Sequence, residues 1–339
     1  MFKLKQLYLS FLEKDKKNAA EIVFHWFLEI LSWVYGAVVG LRNFFYDHNM
    51  FSSYRSQAKV ISIGNISWAG SGKTSLAIWL NERLSVEFKV AILRRGYGRD
   101  EELLLKEISQ NVYSSPDRCR LAKELGSRFE ILILDDGFQY RRLKRELNLV
   151  VIGAREFSRS RQLIPADFFR EPWSSLKRAD LVLINYADEI SDRDKIISEI
   201  KRLTGNSSLY FSNYRLGQFI DLSSKVIETK KLQNKRVAVF TAIGYPQGFL
   251  NKLKESGLNL VSEIIYPDHH ELSDLEYKKI ETDLLSQDIH DLIITSKDRY
   301  HLPAMSCKLN IIVMEIELQI ENELEFLAEV RSKVIGKGE

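Results

Sequence analysis

Apolar residues recur along the chain in short runs that predict strands, and most runs are followed by a stretch with helical spacing. The first clear pair is AKVISIGNIS, which is rich in β-branched residues, and SLAIWLNERL, in which Leu76, Ile78, Trp79 and Leu80 mark the buried side of a helix. Further strand-like runs are KVAILRR, FEILILDD, ADLVLIN, KRVAVFTAIG, LVSEIIYP, DLIITSKD and KLNIIVMEIEL. Because strands that alternate with helices form parallel sheets covered on both faces, we predict an α/β fold with two such sheets.

Composition and charge narrow the class of protein. The chain has 339 residues, of which 45% are hydrophobic and 28% charged, enough for one large or two medium domains with real cores. A formal net charge of +3 does not indicate a nucleic-acid partner. Cys119 and Cys307 show no metal-binding or disulfide spacing, which favours a reducing compartment. Nothing in the composition indicates an obligate protein partner.

The first fifty residues differ in composition from the rest of the chain. A start with five lysines, MFKLKQLYLSFLEKDKKN, precedes the aromatic-rich stretch AAEIVFHWFLEILSWVYGAVVGLRNFFYDHNMF. Glu21, His25 and Glu29 interrupt the apolar residues, and the uncharged run from Ile30 to Leu41 is shorter than the roughly 20 residues that cross a bilayer. Aromatic rings flanked by cations suit a helix lying in the headgroup region. We therefore predict an amphipathic, membrane-associating helix, with an ordinary buried helix as the alternative.

A phosphate-binding loop follows the first strand. The stretch GNISWAGSGKTS ends in the Gly-Lys-Thr of such a loop, although Ser67 stands where glycine is usual. Between a strand and a helix, successive backbone N–H groups of the loop point at phosphates. In this arrangement Lys73 would reach the β- and γ-phosphates, and Thr74 would hold Mg²⁺. The predicted nucleotide-binding residues are Ser67, Trp68, Ala69, Gly70, Ser71, Gly72, Lys73, Thr74 and Ser75.

Two other strands end in residues that suit a nucleotide site. The strand in FEILILDDGFQ runs into Asp135 and Asp136, and a carboxylate at the end of a neighbouring parallel strand is a common Mg²⁺ ligand. A helix cap or turn is the alternative for an isolated pair of aspartates. Either aspartate could contact Mg²⁺ directly or through water. The strand in KVAILRRGYGR similarly leaves Arg95 where ligands of open α/β sheets bind.

The motifs GNISWAGSGKTS, RRGYGR, DDGFQYRRL, LIPADFFREPWSSLKRADLVLIN and YPDHHELS, in this order, resemble the tetraacyldisaccharide 4'-kinase family. The family's own loop has Thr or Ser at the position of Ser67. The resemblance implies ATP and Mg²⁺ as cosubstrates, an acylated disaccharide lipid as acceptor, and two α/β/α domains, the first a P-loop core, with the site in the cleft between them. It also implies a peripheral location on the cytoplasmic face of the bacterial inner membrane.

Residue roles carried over by the resemblance concern the transfer step. Asp100 in RDEELLL and His269 in YPDHH correspond to a carboxylate and histidine proposed as the catalytic base. His270 competes with His269, and the sequence does not choose between them. The predicted catalytic residues are Asp100, His269, Lys73 and Asp136; the metal ligands are Thr74, Asp135 and Asp136; the acceptor-binding residues are Arg95, Arg161, Arg170 and His270.

The predicted organisation has four parts: a helical segment over residues 1 to 50, a P-loop kinase core over 51 to 205, a smaller α/β domain over 206 to 325, and a tail over 326 to 339 that returns to the core. The predicted function is transfer of the ATP γ-phosphate to the 4'-hydroxyl of a tetraacyldisaccharide 1-phosphate. Two alternatives stay open. NYAD, residues 185 to 188, partly matches a guanine-reading motif of GTPase or metallochaperone-like switches, and a non-catalytic membrane-binding module could retain the loop.

Overall fold

A computed structural model describes residues 8, 11–12, 18–68, 70–96, 99–205, 207–303 and 308–336. Ala69 of the predicted loop, Cys307 and most of the lysine-rich start lie outside these residues. The helices are α1 (Ala19–Asp47), α2 (Lys73–Leu84), α3 (Arg99–Ile108), α4 (Arg118–Leu125), α5 (Arg193–Thr204), α6 (Thr229–Gln233), α7 (Pro246–Glu255), α8 (Asp274–Ser286) and α9 (Glu323–Ile335). The strands are β1 (Lys59–Gly64), β2 (Val90–Arg94), β3 (Val112–Ser114), β4 (Ile131–Leu134), β5 (Leu147–Gly153), β6 (Leu181–Asn185), β7 (Ser208–Asp221), β8 (Val226–Ile227), β9 (Arg236–Thr241), β10 (Asn259–Ile265), β11 (Asp291–Thr295) and β12 (Asn310–Ile320). Short 3-10 helices follow several strands, among them Ala154–Ser158, Trp173–Arg178 and Asp298–His301.

The chain divides into two compact units. The first comprises Met1–Arg95, Tyr113–Ser212 and Ile320–Glu339, and the second comprises Gly96–Val112 and Asn213–Gln319. The sequence-based division did not separate residues 96 to 112 from the kinase core, whereas in the structure they group with the second unit. The boundaries between units fall inside β7 and β12, so strand ends do not mark them.

The first unit is a parallel sheet with the order β6-β5-β1-β4-β2, extended by the start of β7 beside β6. On one face, Val182 and Ile184 of β6 join a buried cluster with Ile196 and Ile200 of α5. A second cluster joins strands β1, β2 and β4 to helix α4. Strands β5 and β6 are buried along their whole length, as expected for a parallel sheet covered by helices on both faces.

The second unit repeats this architecture. Its strands β10, β9, β11 and β12 are parallel in that order, and β8 pairs antiparallel with the end of β7. Alternate residues of β9 face opposite layers: Val237 and Val239 pack with helix α7, and Ala238 and Phe240 pack with helix α8. The α/β class with two three-layer cores is the fold that the alternating pattern predicts.

Helix α1 has one packed side and one exposed side. It begins at a capping box, in which Asn18 accepts from the Glu21 N–H at 2.9 Å and Glu21 accepts from the Asn18 N–H at 2.8 Å. Leu28, Ser32 and Val39 are buried. Large apolar side chains are exposed on the rest of the helix, including Ile22, Val23, Phe24, Trp26, Phe27, Ile30, Trp33, Val34, Val38, Leu41 and Phe44. By length and composition the 29-residue helix could cross a membrane as well as lie on its surface, and only 17% of its most apolar window is buried.

Gly64, at the end of β1, has no room for a side chain. A Cβ placed there would lie 2.5 Å from the Phe138 Cβ and 2.6 Å from the Phe138 backbone nitrogen. We predict that Gly64→Ala destabilises the first unit by roughly 1–3 kcal/mol, because strand and backbone must move apart, and lowers Tm by several degrees in calorimetry. Gly40→Ala is the matched control, since a Cβ at Gly40 meets nothing within 4 Å and alanine favours a helix interior. Equal Tm values for both variants would contradict the steric argument.

Candidate active site

The loop between β1 and α2 is held by a buried network of side chains. Asn65 is fully buried, and its Nδ2 donates to the Ser67 Oγ at 3.3 Å and the Ser71 Oγ at 3.0 Å. Asn185, at the end of β6, donates from Nδ2 to the Ser71 carbonyl oxygen at 3.0 Å. Gly72, the residue before α2, has φ of 92°, a left-handed conformation that favours glycine. The described residues on either side of Ala69 are therefore held by hydrogen bonds, and Gly72 leads directly into the first turn of α2.

Ser67, the unusual residue of the loop, has a use in this network. It is fully buried, accepts the Asn65 hydrogen bond, and interacts by hydrogen bonding with the carboxyl group of Glu156, which is also fully buried. Burial raises the pKa of Glu156 above its usual value, against the hydrogen bonds from the Gly153 N–H and Ser67 and the charge of Lys73. Glycine at this position would leave Asn65 and Glu156 without the hydroxyl, so serine is part of the loop's support.

Cationic side chains surround the carboxylate of Asp136. Arg170 donates from Nη2 to its Oδ1 at 2.8 Å and from Nη1 to its Oδ2 at 3.0 Å, a bidentate pair. The Lys73 Nζ lies 3.8 Å from the Asp136 Oδ1. Burial opposes ionisation, but Lys73, Arg170 and Arg118 outweigh it and hold the pKa of Asp136 well below its usual value. Asp136 is therefore an anion at neutral pH.

Arg170 and Arg118 tie this carboxylate to the surrounding backbone. Arg170 also donates from Nε to the Ser67 carbonyl oxygen at 3.0 Å and from Nη2 to the Asn65 side chain. Arg118 donates from Nη1 to the Asp136 carbonyl oxygen at 3.2 Å, and its guanidinium lies 4.0 Å from the centre of the Tyr140 ring. Arg118 is buried, and Asp135 beside it is also buried. The sequence reasoning missed Asn65 and Arg118, although both follow the pattern of polar residues near strand ends.

Mg²⁺ fits the donor set of this cluster. The hydroxyl of Thr74 and the carboxylates of Asp135 and Asp136 are oxygen ligands of the kind that Mg²⁺ prefers. Thr74 and Asp136 are both partly accessible, whereas Asp135 is buried. Among the described residues of the first unit, these three side chains offer oxygen ligands that could hold the ion.

Three further predicted residues belong to the first unit. Arg161 pairs with Glu199 and stacks on Trp173 at 4.4 Å from the ring centre. Trp68 is half-exposed, and its backbone N–H donates to the Phe168 carbonyl oxygen at 2.8 Å. Arg95 is exposed at the residue after β2. Gly70 and Ser75 belong to the loop and the first turn of α2, and no side-chain contact distinguishes them among the described residues.

The second unit contains a separate cluster around Asp100. The His269 Nδ1 lies 3.0 Å from both carboxylate oxygens of Asp100, and the His301 Nε2 lies 3.1 Å from its Oδ2. The Lys297 Nζ is 3.3 Å from the same Oδ2. Burial opposes ionisation of Asp100, but the two histidine hydrogen bonds and Lys297 hold its pKa far below the usual value. Because the carboxylate can only accept, His269 donates from Nδ1, which leaves Nε2 as its basic nitrogen.

The structure distinguishes the two histidines of the DHH motif. His269 has φ of 64° and donates its backbone N–H to the Ala242 carbonyl oxygen at 3.0 Å, a conformation that turns its ring to Asp100. His270 instead lies 3.2 Å from the Glu276 Oε1 and stacks on Tyr266 with 4.6 Å between ring centres. The predicted pairing of Asp100 with His269 is therefore present in the geometry, and His270 supports the start of helix α8.

Asp100, His269 and His301 also satisfy the distance criterion for a metal site, since their three ligand atoms lie within 4.8 Å of one another. Burial opposes protonation of His301, but hydrogen bonds to Asp100 and Asp298 outweigh burial and raise its pKa to about 9. Both ring nitrogens of His301 lie 3.1 Å from carboxylate oxygens, so we describe the trio as a hydrogen-bond network.

Comparisons with known proteins agree with these features. A family model described as tetraacyldisaccharide-1-P 4'-kinase matches residues 24–334. A tetraacyldisaccharide 4'-kinase of Halothermothrix orenii is 30% identical, with 98% of each chain covered, and one of Elusimicrobium minutum is 31% identical, with 93% of each covered.

A solved structure shares the fold. LpxK from Aquifex aeolicus, crystallised in complex with ATP, is 22% identical and superposes with a TM-score of 0.69 over 90% of this chain and 97% of that one. The family model spans most of the chain, and the two relatives match it almost end to end. The chain therefore belongs to the tetraacyldisaccharide-1-P 4'-kinase family.

Proposed function

We propose that this protein transfers the γ-phosphate of ATP to the 4'-hydroxyl of a tetraacyldisaccharide 1-phosphate, a step in lipid A synthesis. The observation that carries the proposal is the Asp100–His269 pair, in which a buried carboxylate orients a partly exposed imidazole. Transfer to a sugar hydroxyl requires a base that accepts its proton, and an imidazole with one nitrogen held by a carboxylate is suited to this task. Family membership supports the same reaction.

The roles within the proposal follow from the two clusters. The loop backbone, Lys73 and Arg170 would bind the triphosphate and stabilise the charge that develops on the transferred phosphoryl group. Mg²⁺, held by Thr74 with Asp135 or Asp136, would neutralise phosphate charge when bound. The His269 Nε2 would take the proton of the hydroxyl. That nitrogen lies 3.4 Å from the Asp268 Oδ2, so Asp268 is placed to stabilise the ring once it is protonated.

The GTPase-like alternative rested on Asn185 in the NYAD stretch, and this residue has contacts of a different kind. Asn185, the residue that suggested a guanine-reading motif, is 1% exposed, and its side chain contacts the Ser71 carbonyl oxygen and the Ser212 hydroxyl. These contacts give it a role in supporting the phosphate loop. A switch that hydrolyses GTP also has no use for the Asp100–His269 pair in the second unit.

We also propose that α1 associates with the surface of the inner membrane. Trp26 is 62% exposed and Trp33 is 74% exposed, and they stand among other apolar side chains on the same helix. Exposed apolar surface of this extent is costly in water, and aromatic rings favour the headgroup boundary. The packed side of α1 is anchored to the first unit: the Tyr35 hydroxyl donates to the Arg170 carbonyl oxygen at 3.0 Å, and Asn43 donates to Glu171 at 2.9 Å.

The base assignment predicts a contrast between neighbouring histidines. His269→Ala should lower kcat by roughly 10²–10⁴-fold, since it removes the proton acceptor. His270→Ala is the matched control and should stay within a few-fold of wild type. The measurement is transfer of radiolabelled γ-phosphate from ATP to tetraacyldisaccharide 1-phosphate in detergent micelles, with Lys73→Ala as an inactive reference. GTP hydrolysis without a labelled lipid would refute the kinase proposal, and equal losses in both histidine variants would refute the base.

The phosphate cluster predicts a contrast between two arginines. Arg170→Ala should lower kcat/KM for ATP by roughly 10²-fold or more, because Asp136 loses its bidentate partner and the loop loses a backbone contact. Arg161→Ala should change the same quantity only a few-fold, since its charge is paired with Glu199. Steady-state kinetics with saturating lipid acceptor measure both. A larger loss for Arg161 than for Arg170 would contradict the assignment of Arg170 to the phosphate cluster.

If the exposed tryptophans of α1 bind the membrane, replacing them should weaken membrane binding. The double variant Trp26→Ser/Trp33→Ser should weaken co-sedimentation with vesicles of phosphatidylethanolamine and phosphatidylglycerol at least tenfold, because each ring contributes on the order of 1.5–3 kcal/mol on burial. Leu275→Ser/Leu324→Ser is the control, since these side chains are 80% and 85% exposed on other helices. Unchanged binding of the tryptophan variant, or equal loss in the control, would contradict the assignment.

A further inference from the structure

His301 lies directly behind the Asp100 carboxylate and is almost fully buried. Its Nε2 is 3.1 Å from the Asp100 Oδ2, and its Nδ1 is 3.1 Å from the Asp298 Oδ1. Its side chain is 1% exposed. Both ring nitrogens thus face carboxylates, which can only accept hydrogen bonds when ionised. A neutral imidazole has one N–H, so only the imidazolium satisfies both contacts.

The carboxylate of Asp298, the other partner of His301, is itself held in place by hydrogen bonds. Its Oδ1 accepts from the Ala242 N–H at 2.8 Å, and its Oδ2 accepts from the Thr295 hydroxyl at 2.7 Å. These partners stand directly after β9 and at the end of β11, inside the sheet of the second unit. A continuous series of hydrogen bonds therefore runs from the sheet through Asp298, His301 and Asp100 to the half-buried ring of His269.

Other charged groups surround the series. Lys297 is close to three carboxylates, with its Nζ 3.3 Å from Asp100, 3.6 Å from Glu101 and 3.0 Å from Asp268. Because its flexible ammonium is shared among three partners, it compensates charge without fixing one orientation of Asp100. Among the described residues, the charged groups in direct contact with this series are Asp100 and Asp298 at the two ring nitrogens of His301, and His269 and Lys297 at Asp100.

We propose that His301 is a positioning residue for the transfer reaction: as a buried cation it holds the Asp100 carboxylate in the orientation that receives the His269 Nδ1–H. The inference rests on the proposed function, in which Asp100 and His269 form the base.

His301→Gln tests the charge and the orientation together. A glutamine amide has a similar length and can donate to Asp100, but it carries no charge. In the full-length enzyme with ATP and lipid acceptor in micelles, kcat should fall about tenfold or more, while KM for ATP and for the lipid stays within about twofold. A loss confined to kcat indicates that the transfer step has lost its positioned base while both substrates still bind.

Two further variants separate this role from simple structural support. His301→Lys restores a buried cation within reach of Asp100, so it should recover much of kcat. His290→Gln is the matched control, because His290 is an exposed histidine of the same unit paired with Asp288 at 3.1 Å. It should leave kcat and both KM values unchanged. Should His301→Gln fail to fold in a thermal unfolding test, the lysine variant decides: retained kcat supports the proposal, and its loss overturns it.

The outcomes distinguish this inference from the proposed function. If His301→Gln folds and keeps the wild-type kcat, His301 has no positioning role, even when His269→Ala and Asp100→Asn are inactive. A lower Tm with an unchanged kcat likewise overturns the proposal and assigns His301 to stability alone. If instead His269→Ala is as active as wild type, the base assignment fails, and the positioning role that rests on it fails with it.

Discussion

Parallel strands place all their carboxyl-terminal loops at one edge of a sheet, and the chemistry of each unit depends on this constraint. In the first unit, β1 leads into the phosphate loop, β4 into Asp135 and Asp136, and β6 ends at Asn185. In the second unit, β9 precedes Ala242 and β11 precedes Asp298. Residues that are far apart in sequence thus meet through hydrogen bonds, because the strands that carry them are neighbours with a fixed register.

Neighbouring charges then determine which of the buried carboxylates stay ionised. A buried carboxylate without partners would be neutralised, since desolvation penalises its charge. Asp136 stays ionised because Lys73, Arg170 and Arg118 surround it. Glu171, the next residue after Arg170, is fully buried and is held by Arg42, Asn43 and Arg178. Arg170 contacts the phosphate cluster, and the next residue, Glu171, contacts helix α1. The packing of α1 therefore affects the position of Arg170.

The sequence predicted the parts of the structure that depend on local pattern. Alternating strands and helices, the strand–loop–helix around Lys73 and the carboxylates after β4 all follow from spacing and residue type. The resemblance to a known family supplied the pairing of Asp100 with His269, but the choice between His269 and His270 depends on a single left-handed backbone conformation that periodicity does not encode. Asn65 was missed although its contacts with Ser67 and Ser71 lie within its own loop. Arg118 and His301 were missed because their roles arise from contacts between segments that are distant in sequence. The grouping of residues 96 to 112 with the second unit has the same origin.

The side chains of the cluster around Asp100 differ in how much of their surface is exposed to solvent. Asp298 is 0% exposed, His301 1%, Asp100 5% and His269 35%, as measured on the side chains. Of these four groups, Asp298 is fixed by backbone and hydroxyl donors at the sheet, and His269 is the most accessible. In the proposed reaction, a proton taken at the His269 Nε2 would stay at the accessible end, while Asp100 behind it would balance the added charge. The interior members would not need to exchange protons, because their proposed task is to keep that carboxylate ionised and correctly oriented.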